Sequence, residues 1–153
     1  VAMLVNGVFA AGRHEVKFNG QGLSYHRSVL ATAAQRARDA ALPLGGLLTP
    51  TEAWTLFNAG EIELVDTRTL AERDLIGYVP GSVAIEWYDY PAKKRNDGFI
   101  DQLRAKVDPS RPVAFLCRSG VRSHHAAVLA TAKGRSGRTW LANATAKMTG
   151  ISG

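Results

Sequence analysis

Cysteine occurs once in these 153 residues, at Cys117. A single thiol excludes an intramolecular disulfide and a thiol-rich metal site. It fits a reducing compartment, or a thiol kept free for chemistry. Histidine is sparse as well. His14, His26, His124 and His125 show no zinc-site spacing with acidic partners, so no metal is expected. No apolar run approaches the length of a membrane span. The apolar start, Val1-Ala2-Met3-Leu4-Val5-Asn6-Gly7-Val8-Phe9-Ala10, has no basic residue before it, whereas a secretory signal needs one. It reads as folded chain, the missing initiator Met as a processed or tag-trimmed end, and the cytoplasm as the expected location.

What is present is ordinary in bulk. A hydrophobic fraction of 46% and a charged fraction of 21% suit a soluble globular protein of one domain. The formal charge of +6 raises the question of nucleic acid. Its basic residues, however, do not interleave with aromatics in the pattern of a nucleic-acid module, and attraction of small anions is the more economical use. No nucleic acid and no membrane are expected as partners.

Along the chain, Val16-Lys17-Phe18 reads as a short strand and Asn19-Gly20-Gln21-Gly22 as a turn. Residues 27–42 read as a helix, with Val29, Leu30, Ala33, Ala34, Ala37 and Ala41 on one broad face, ended by Pro43 and Gly45-Gly46. Thr49, Pro50 and Glu52 form a helix start with a capping box, and Gly60 its stop. Ile62-Glu63-Leu64-Val65-Asp66 reads as a strand, residues 70–76 as a short helix, and residues 77–81 as a turn. Val83-Ala84-Ile85-Glu86-Trp87 is another strand, with a long polar connection through Lys93-Lys94-Arg95-Asn96-Asp97-Gly98. A helix over about residues 99–107 leads to the apolar run Pro112-Val113-Ala114-Phe115-Leu116. Helices alternating with short apolar strands indicate an α/β domain with a mostly parallel sheet. Ligands of such sheets bind beyond the carboxyl ends of the strands, where Asp66, Trp87 and Cys117 fall.

The segment that carries chemistry is Cys117-Arg118-Ser119-Gly120-Val121-Arg122-Ser123, set between that strand and an alanine-rich helix. A helix N-terminus offers free N–H groups and partial positive charge, and two arginines add full charges. This suits a reactive thiolate handling a small anionic substrate. Out of context a cysteine ending a buried strand is usually a small apolar core residue, but the glycine, arginines and serines after it argue otherwise. Ser119 and Ser123 read equally as helix caps or substrate contacts. Trp87 reads as core, and His124 and His125 as partly exposed helix surface.

Over residues 48–132 the chain resembles the rhodanese-like sulfurtransferases. Leu64-Val65-Asp66-Thr67-Arg68, Glu72 and Gly77-Tyr78-Val79-Pro80-Gly81-Ser82 look like the family's D-x-R-x-x-x-E and G-H-I-P-G-A signature, with Tyr78 where histidine is common. The segment from Cys117 to Ser123 looks like its C-x-x-G-x-R-S active-site loop. The resemblance implies a rhodanese-like α/β domain with a central, mostly parallel sheet and helices on both faces. It also implies a persulfide on Cys117, formed from a donor such as thiosulfate and passed to a thiol, a cyanide-like acceptor or a protein. The covalent persulfide takes the place of a cofactor. Arg118, Ser119, Gly120, Val121, Arg122 and Ser123 would surround the sulfur. Gly120 permits tight curvature, Arg118 meets the donor at the mouth, and Arg122 braces the loop against Asp66 or Glu72. Asp66 and Arg68 read first as fixing the strand end.

Phosphatases with a similar loop use C-x5-R. The C-x4-R spacing of Cys117 and Arg122 suits a sulfur atom and crowds phosphate. A non-catalytic rhodanese-like binding module remains the alternative, and the retained cysteine argues against it. The chain divides into residues 1–46 as an N-terminal extension packed on the domain, residues 47–133 as the domain, and residues 134–153 as an atypical tail. In that tail only Thr139-Trp140-Leu141 reads as a brief strand.

Overall fold

A computed structural model describes residues 20–108, 110–133 and 139–143. The possible strand at residues 16–18 and His14 lie outside them.

Among the described residues ten elements alternate. They are α1 (Gly20–Asp39), β1 (Gly46–Leu48), α2 (Pro50–Asn58), β2 (Glu63–Asp66), α3 (Leu70–Ile76), β3 (Val83–Ala84), α4 (Phe99–Lys106), β4 (Val113–Leu116), α5 (Val121–Lys133) and β5 (Trp140–Asn143). All strand pairs are parallel, in the order β1-β5-β4-β2-β3. The α/β class read from the sequence is therefore correct, and among the described residues the sheet is wholly parallel. No described helix is long and apolar enough to cross a membrane.

Side chains alternate across each strand and so divide the core into two layers. Val65, Val113, Phe115 and Trp140 join Trp87, Phe99, Leu103, Ala126, Ala127 and Ala130 on one face, under α4 and α5. Leu64, Ala114 and Leu141 join Leu48, Ala53, Leu56 and Ile62 on the other, under α2. The helix α1 packs on the edge strand β1 and contributes to both layers, with Ala37 in the first and Val29 and Ala33 in the second. Ala126, Ala127 and Ala130 are fully buried, so the small residues of α5 bring its backbone close to the sheet. That closeness aims the start of α5 at the end of β4.

Local signals explain most of the boundaries. Thr49 accepts the Glu52 N–H while the Glu52 carboxylate accepts the Thr49 N–H, closing the expected capping box. Arg36 holds the same carboxylate through both terminal nitrogens, at 2.7 and 2.9 Å, tying α1 to the start of α2.

Three readings need correction. The supposed turn at Gly20-Gln21-Gly22 is the first turn of α1, where glycine costs less than in a helix interior. Val83 to Trp87 keeps only two strand residues, although the Ile85 and Trp87 N–H groups still reach Asp66 O and Thr67 O. Gly45-Gly46 is no mere helix stop. A Cβ at Gly45 would lie 2.8 Å from Trp140 O, and one at Gly46 3.0 Å from the Ala33 carbonyl carbon. Strand β1 begins there because β5 and α1 approach its backbone too closely for a side chain. The brief strand read at residues 139–141 is β5, running to Asn143 and lying between β1 and β4.

Candidate active site

Parallel register brings the carboxyl ends of the strands to one edge. Asp66 pairs with Leu116 on one side and Ala84 on the other, so the segments that follow each residue leave from the same rim. Thr67 fastens two of them: its N–H and hydroxyl both donate to Leu116 O, at 2.9 and 2.8 Å. The base of the Cys117 loop is thereby anchored to the end of β2.

Cys117 is 2% exposed. Its Sγ accepts the Gly120 N–H at 3.0 Å and the Ser123 N–H at 3.4 Å, and lies 3.5 Å from Ser123 Oγ. Gly120 has φ +90°, a conformation that L side chains resist and that turns its N–H back onto the sulfur. No acidic residue occupies the first turn of α5, so the positive end of the helix faces the sulfur without a competing carboxylate. Backbone N–H groups and the positive end of the helix thus converge on the sulfur.

The structure places the remaining residues of the loop unevenly. Arg118, Ser119 and Val121 are exposed. Ser123 is not a cap: it is the third residue of α5, and its buried hydroxyl donates to Gly120 O at 2.9 Å while contacting the sulfur. Arg122 donates to both oxygens of Glu72, at 2.6 and 2.7 Å. Of the two partners considered for it, Glu72 is the one it holds. With both terminal nitrogens engaged, Arg122 braces the loop against α3, and Arg118 is left as the loop arginine open to an anion.

Glu72 has a second task. It closes a capping box with Thr69 at the start of α3, accepting the Thr69 N–H at 2.9 Å. Thr69 was missed in the sequence, although Thr69-Leu70-Ala71-Glu72 carries the S/T-x-x-E pattern that marks it. The same carboxylate therefore secures a helix start and the catalytic-type loop. Arg122 in first place, then the Thr69 N–H, hold the Glu72 carboxyl down to about 2, against the opposing effect of burial. Arg122 is raised in turn by Glu72.

A pH dependence follows. Stabilisation from Glu72 is complete above its ordinary value of 4.5 and disappears as pH falls through about 2. Urea unfolding of the wild type and Glu72→Gln is expected to differ by on the order of 2–3 kcal/mol at neutral pH, converging towards pH 2. A gap that stays constant across this range would contradict the assignment.

Behind Glu72 lies a second ion pair. Asp66, with no exposed surface, accepts Arg68 Nε and Nη2 at 3.0 and 2.7 Å, and Arg68 continues to Gly77 O at 2.9 Å. Arg73 Nε stands 3.5 Å from the same carboxylate. Its guanidinium lies 5.2 Å from the Tyr78 ring centroid, so Tyr78 serves as a cation–π partner at an exposed position. Arg68, Arg73 and Arg122 outnumber Asp66 and Glu72 by one charge.

Trp87 is core, as expected. Its ring lies 6.4 Å from that of His125, which is exposed on α5, while His124 is half-buried. Among the described residues no group of three His, Cys, Asp or Glu side chains converges as metal ligands would.

A parallel α/β sheet with one cysteine cradled at the end of a central strand defines a class of cysteine-loop domains. Within it, residues 49–144 match the rhodanese-like domain family, and the chain belongs to that family. No curated protein matches the chain. Among solved structures it is similar to Rv0390 from M. tuberculosis, at 33% identity over 65% of this chain and 76% of that one, with a TM-score of 0.49. It is also similar to a Rhodopseudomonas palustris CGA009 protein of unknown function, described as a possible tyrosine phosphatase. There the identity is 20% over 88% of this chain and 91% of that one, with a TM-score of 0.46.

Proposed function

We propose that this protein is a sulfurtransferase that carries a sulfane sulfur as a persulfide on Cys117. The observation that carries the reading is the backbone cradle, with the Gly120 and Ser123 N–H groups donating to Sγ in a loop closed by Arg122 and Glu72. With thiosulfate as donor, the Cys117 thiolate attacks the outer sulfur. A new S–S bond forms, the donor S–S bond breaks, and sulfite leaves with the electron pair. The negative charge then sits on the terminal sulfur, where N–H groups and the helix end stabilise it. Arg118 attracts the doubly charged donor. An acceptor thiolate, or cyanide, next attacks that terminal sulfur, and the electron pair returns to Cys117. No cofactor enters either step.

The four-residue spacing from Cys117 to Arg122 leaves a cradle suited to a sulfur atom, and Arg122 is occupied by Glu72, which disfavours phosphate chemistry. Incubation with thiosulfate is expected to add the mass of one sulfur atom, removable by cyanide with release of thiocyanate. An unchanged mass and no thiocyanate would turn the assignment towards a non-catalytic binding module.

A further inference from the structure

The rim around Cys117 carries a surface that the chemistry of thiosulfate does not require. Beyond β3 the chain forms a narrow ribbon. Tyr88 bridges Arg95 in antiparallel fashion, the Asp89 N–H donates to Lys94 O, and the Asn96 N–H donates to Trp87 O. Asn96 staples its base, donating to Glu86 O at 2.9 Å and accepting the Gly98 N–H at 3.1 Å. The ribbon rises from the same edge as the active-site loop, since Trp87 N–H donates to Thr67 O and the Trp87 ring meets His125.

Its exposed side chains include Lys93, Lys94 and Arg95, set against Asp89 and Asp97. Asp97 lies 3.8 Å from Lys94 and 3.6 Å from Arg95, with all three side chains more than half exposed, so these pairs are weak and open to exchange. Arg118 adds another exposed cation beside the sulfur. Aliphatic and aromatic surface is interspersed on the same rim: Leu70 is 58% exposed, Val121 56% and Tyr90 65%. Leu70 opens α3, and its N–H donates to Glu86 at the foot of the ribbon. Val121 opens α5.

A small anion needs only charge. Exposed Leu, Val and Tyr next to exposed Lys and Arg form the mixed composition of a protein interface, and charge complementarity selects an acidic partner. Nucleic acid is the less fitting occupant, because of Leu70, Val121 and Tyr90 only Tyr90 offers a base a ring to stack on. Resting on the sulfurtransferase reading, we infer that the acceptor is an acidic protein whose reactive thiol, flanked by apolar residues, docks across the ribbon of residues 88–96 and the Leu70–Val121 side of the loop. Its thiolate attacks the terminal persulfide sulfur, the Cys117–sulfur bond breaks, and the electron pair stays on Cys117.

The test uses synthetic cysteine peptides with Glu and Leu flanks, or with Lys and Leu flanks, mixed with the persulfidated full chain. Sulfur transfer is followed by peptide mass. At low salt the acidic peptide is expected to take sulfur about tenfold faster than the basic one, a difference that fades at high ionic strength. Combined Lys93→Glu, Lys94→Glu and Arg95→Glu substitution is expected to erase or reverse it, leaving the final extent of persulfide formation at saturating thiosulfate unchanged. Equal rates, or a preference untouched by the charge reversal, overturn the proposal.

Anisotropy with serine versions of the labelled peptides reads docking without any persulfide. It therefore separates failure of the surface from failure of the sulfurtransferase reading. It also serves should the charge-reversed chain not fold, because the peptide preference and its salt dependence need only the wild type. A single-stranded oligonucleotide that displaces the acidic peptide at lower concentration also overturns the proposal.

Discussion

Cys117→Ser is expected to abolish the thiosulfate mass adduct and to lower transfer to cyanide by about 10³-fold or more, the scale on which removal of a covalent nucleophile acts. The change is nearly isosteric. A serine hydroxyl at a site 2% exposed inherits the Gly120 and Ser123 N–H groups as donors, so the fold is retained. What is lost is the chemistry. A hydroxyl does not ionise in the neutral range, whereas a thiolate is the attacking form and also the leaving form when sulfur is handed on. Far-UV circular dichroism and a thermal melt close to wild type, with no adduct, are the expected combination. An adduct of equal yield on the variant would remove Cys117 from the mechanism.

The largest effect on stability is expected at Asp66. Asp66→Ala removes the carboxylate that accepts Arg68 and faces Arg73, leaving a guanidinium 3% exposed at Arg68 without its counterion. Breaking a buried pair from one side costs about 3–5 kcal/mol, because the remaining charge is desolvated and unpaired. For a chain of this size the melting temperature is expected to fall by roughly 10 °C. Asp66→Asn keeps an acceptor for the Arg68 N–H and is expected to lose less. A melting shift of only a degree or two in Asp66→Ala would show that solvent reaches the pair more freely than its burial implies. Because Arg68 also holds Gly77 O, the damage should extend along α3 to the Glu72 brace and slow the loop chemistry.

Much of this fold is written locally. Thr49, Pro50 and Glu52 announce α2 three ways, and the helix starts there. Thr69 and Glu72 announce α3 by the same pattern, and reading Glu72 only as a loop support hid its capping role. The loop was legible too, since a glycine three residues after a cysteine at a strand-to-helix junction has few other uses. The departures share one cause. Gly45 and Gly46 looked like punctuation because the atoms that exclude a Cβ there, in Trp140 and Ala33, are distant in sequence. Ser123 read equally as a cap or a substrate contact, because its contact with the sulfur depends on how the loop curls. The strand at residues 83–87 reads longer than it is because Ile85 and Trp87 stay buried and keep N–H bonds to Asp66 O and Thr67 O beyond the two paired residues.

By itself, then, the sequence determined the alternation of helices and strands, the two capping boxes, and a cysteine loop with C-x4-R spacing. These depend on neighbours within a turn or two, where side-chain period, capping geometry and glycine conformation act directly. Only the tertiary structure decided that β5 enters between β1 and β4, that Arg122 takes Glu72 while Arg68 takes Asp66, and which N–H groups close on Cys117. Those choices are made between groups tens of residues apart, through hydrogen bonds and packing that exist once the sheet has assembled.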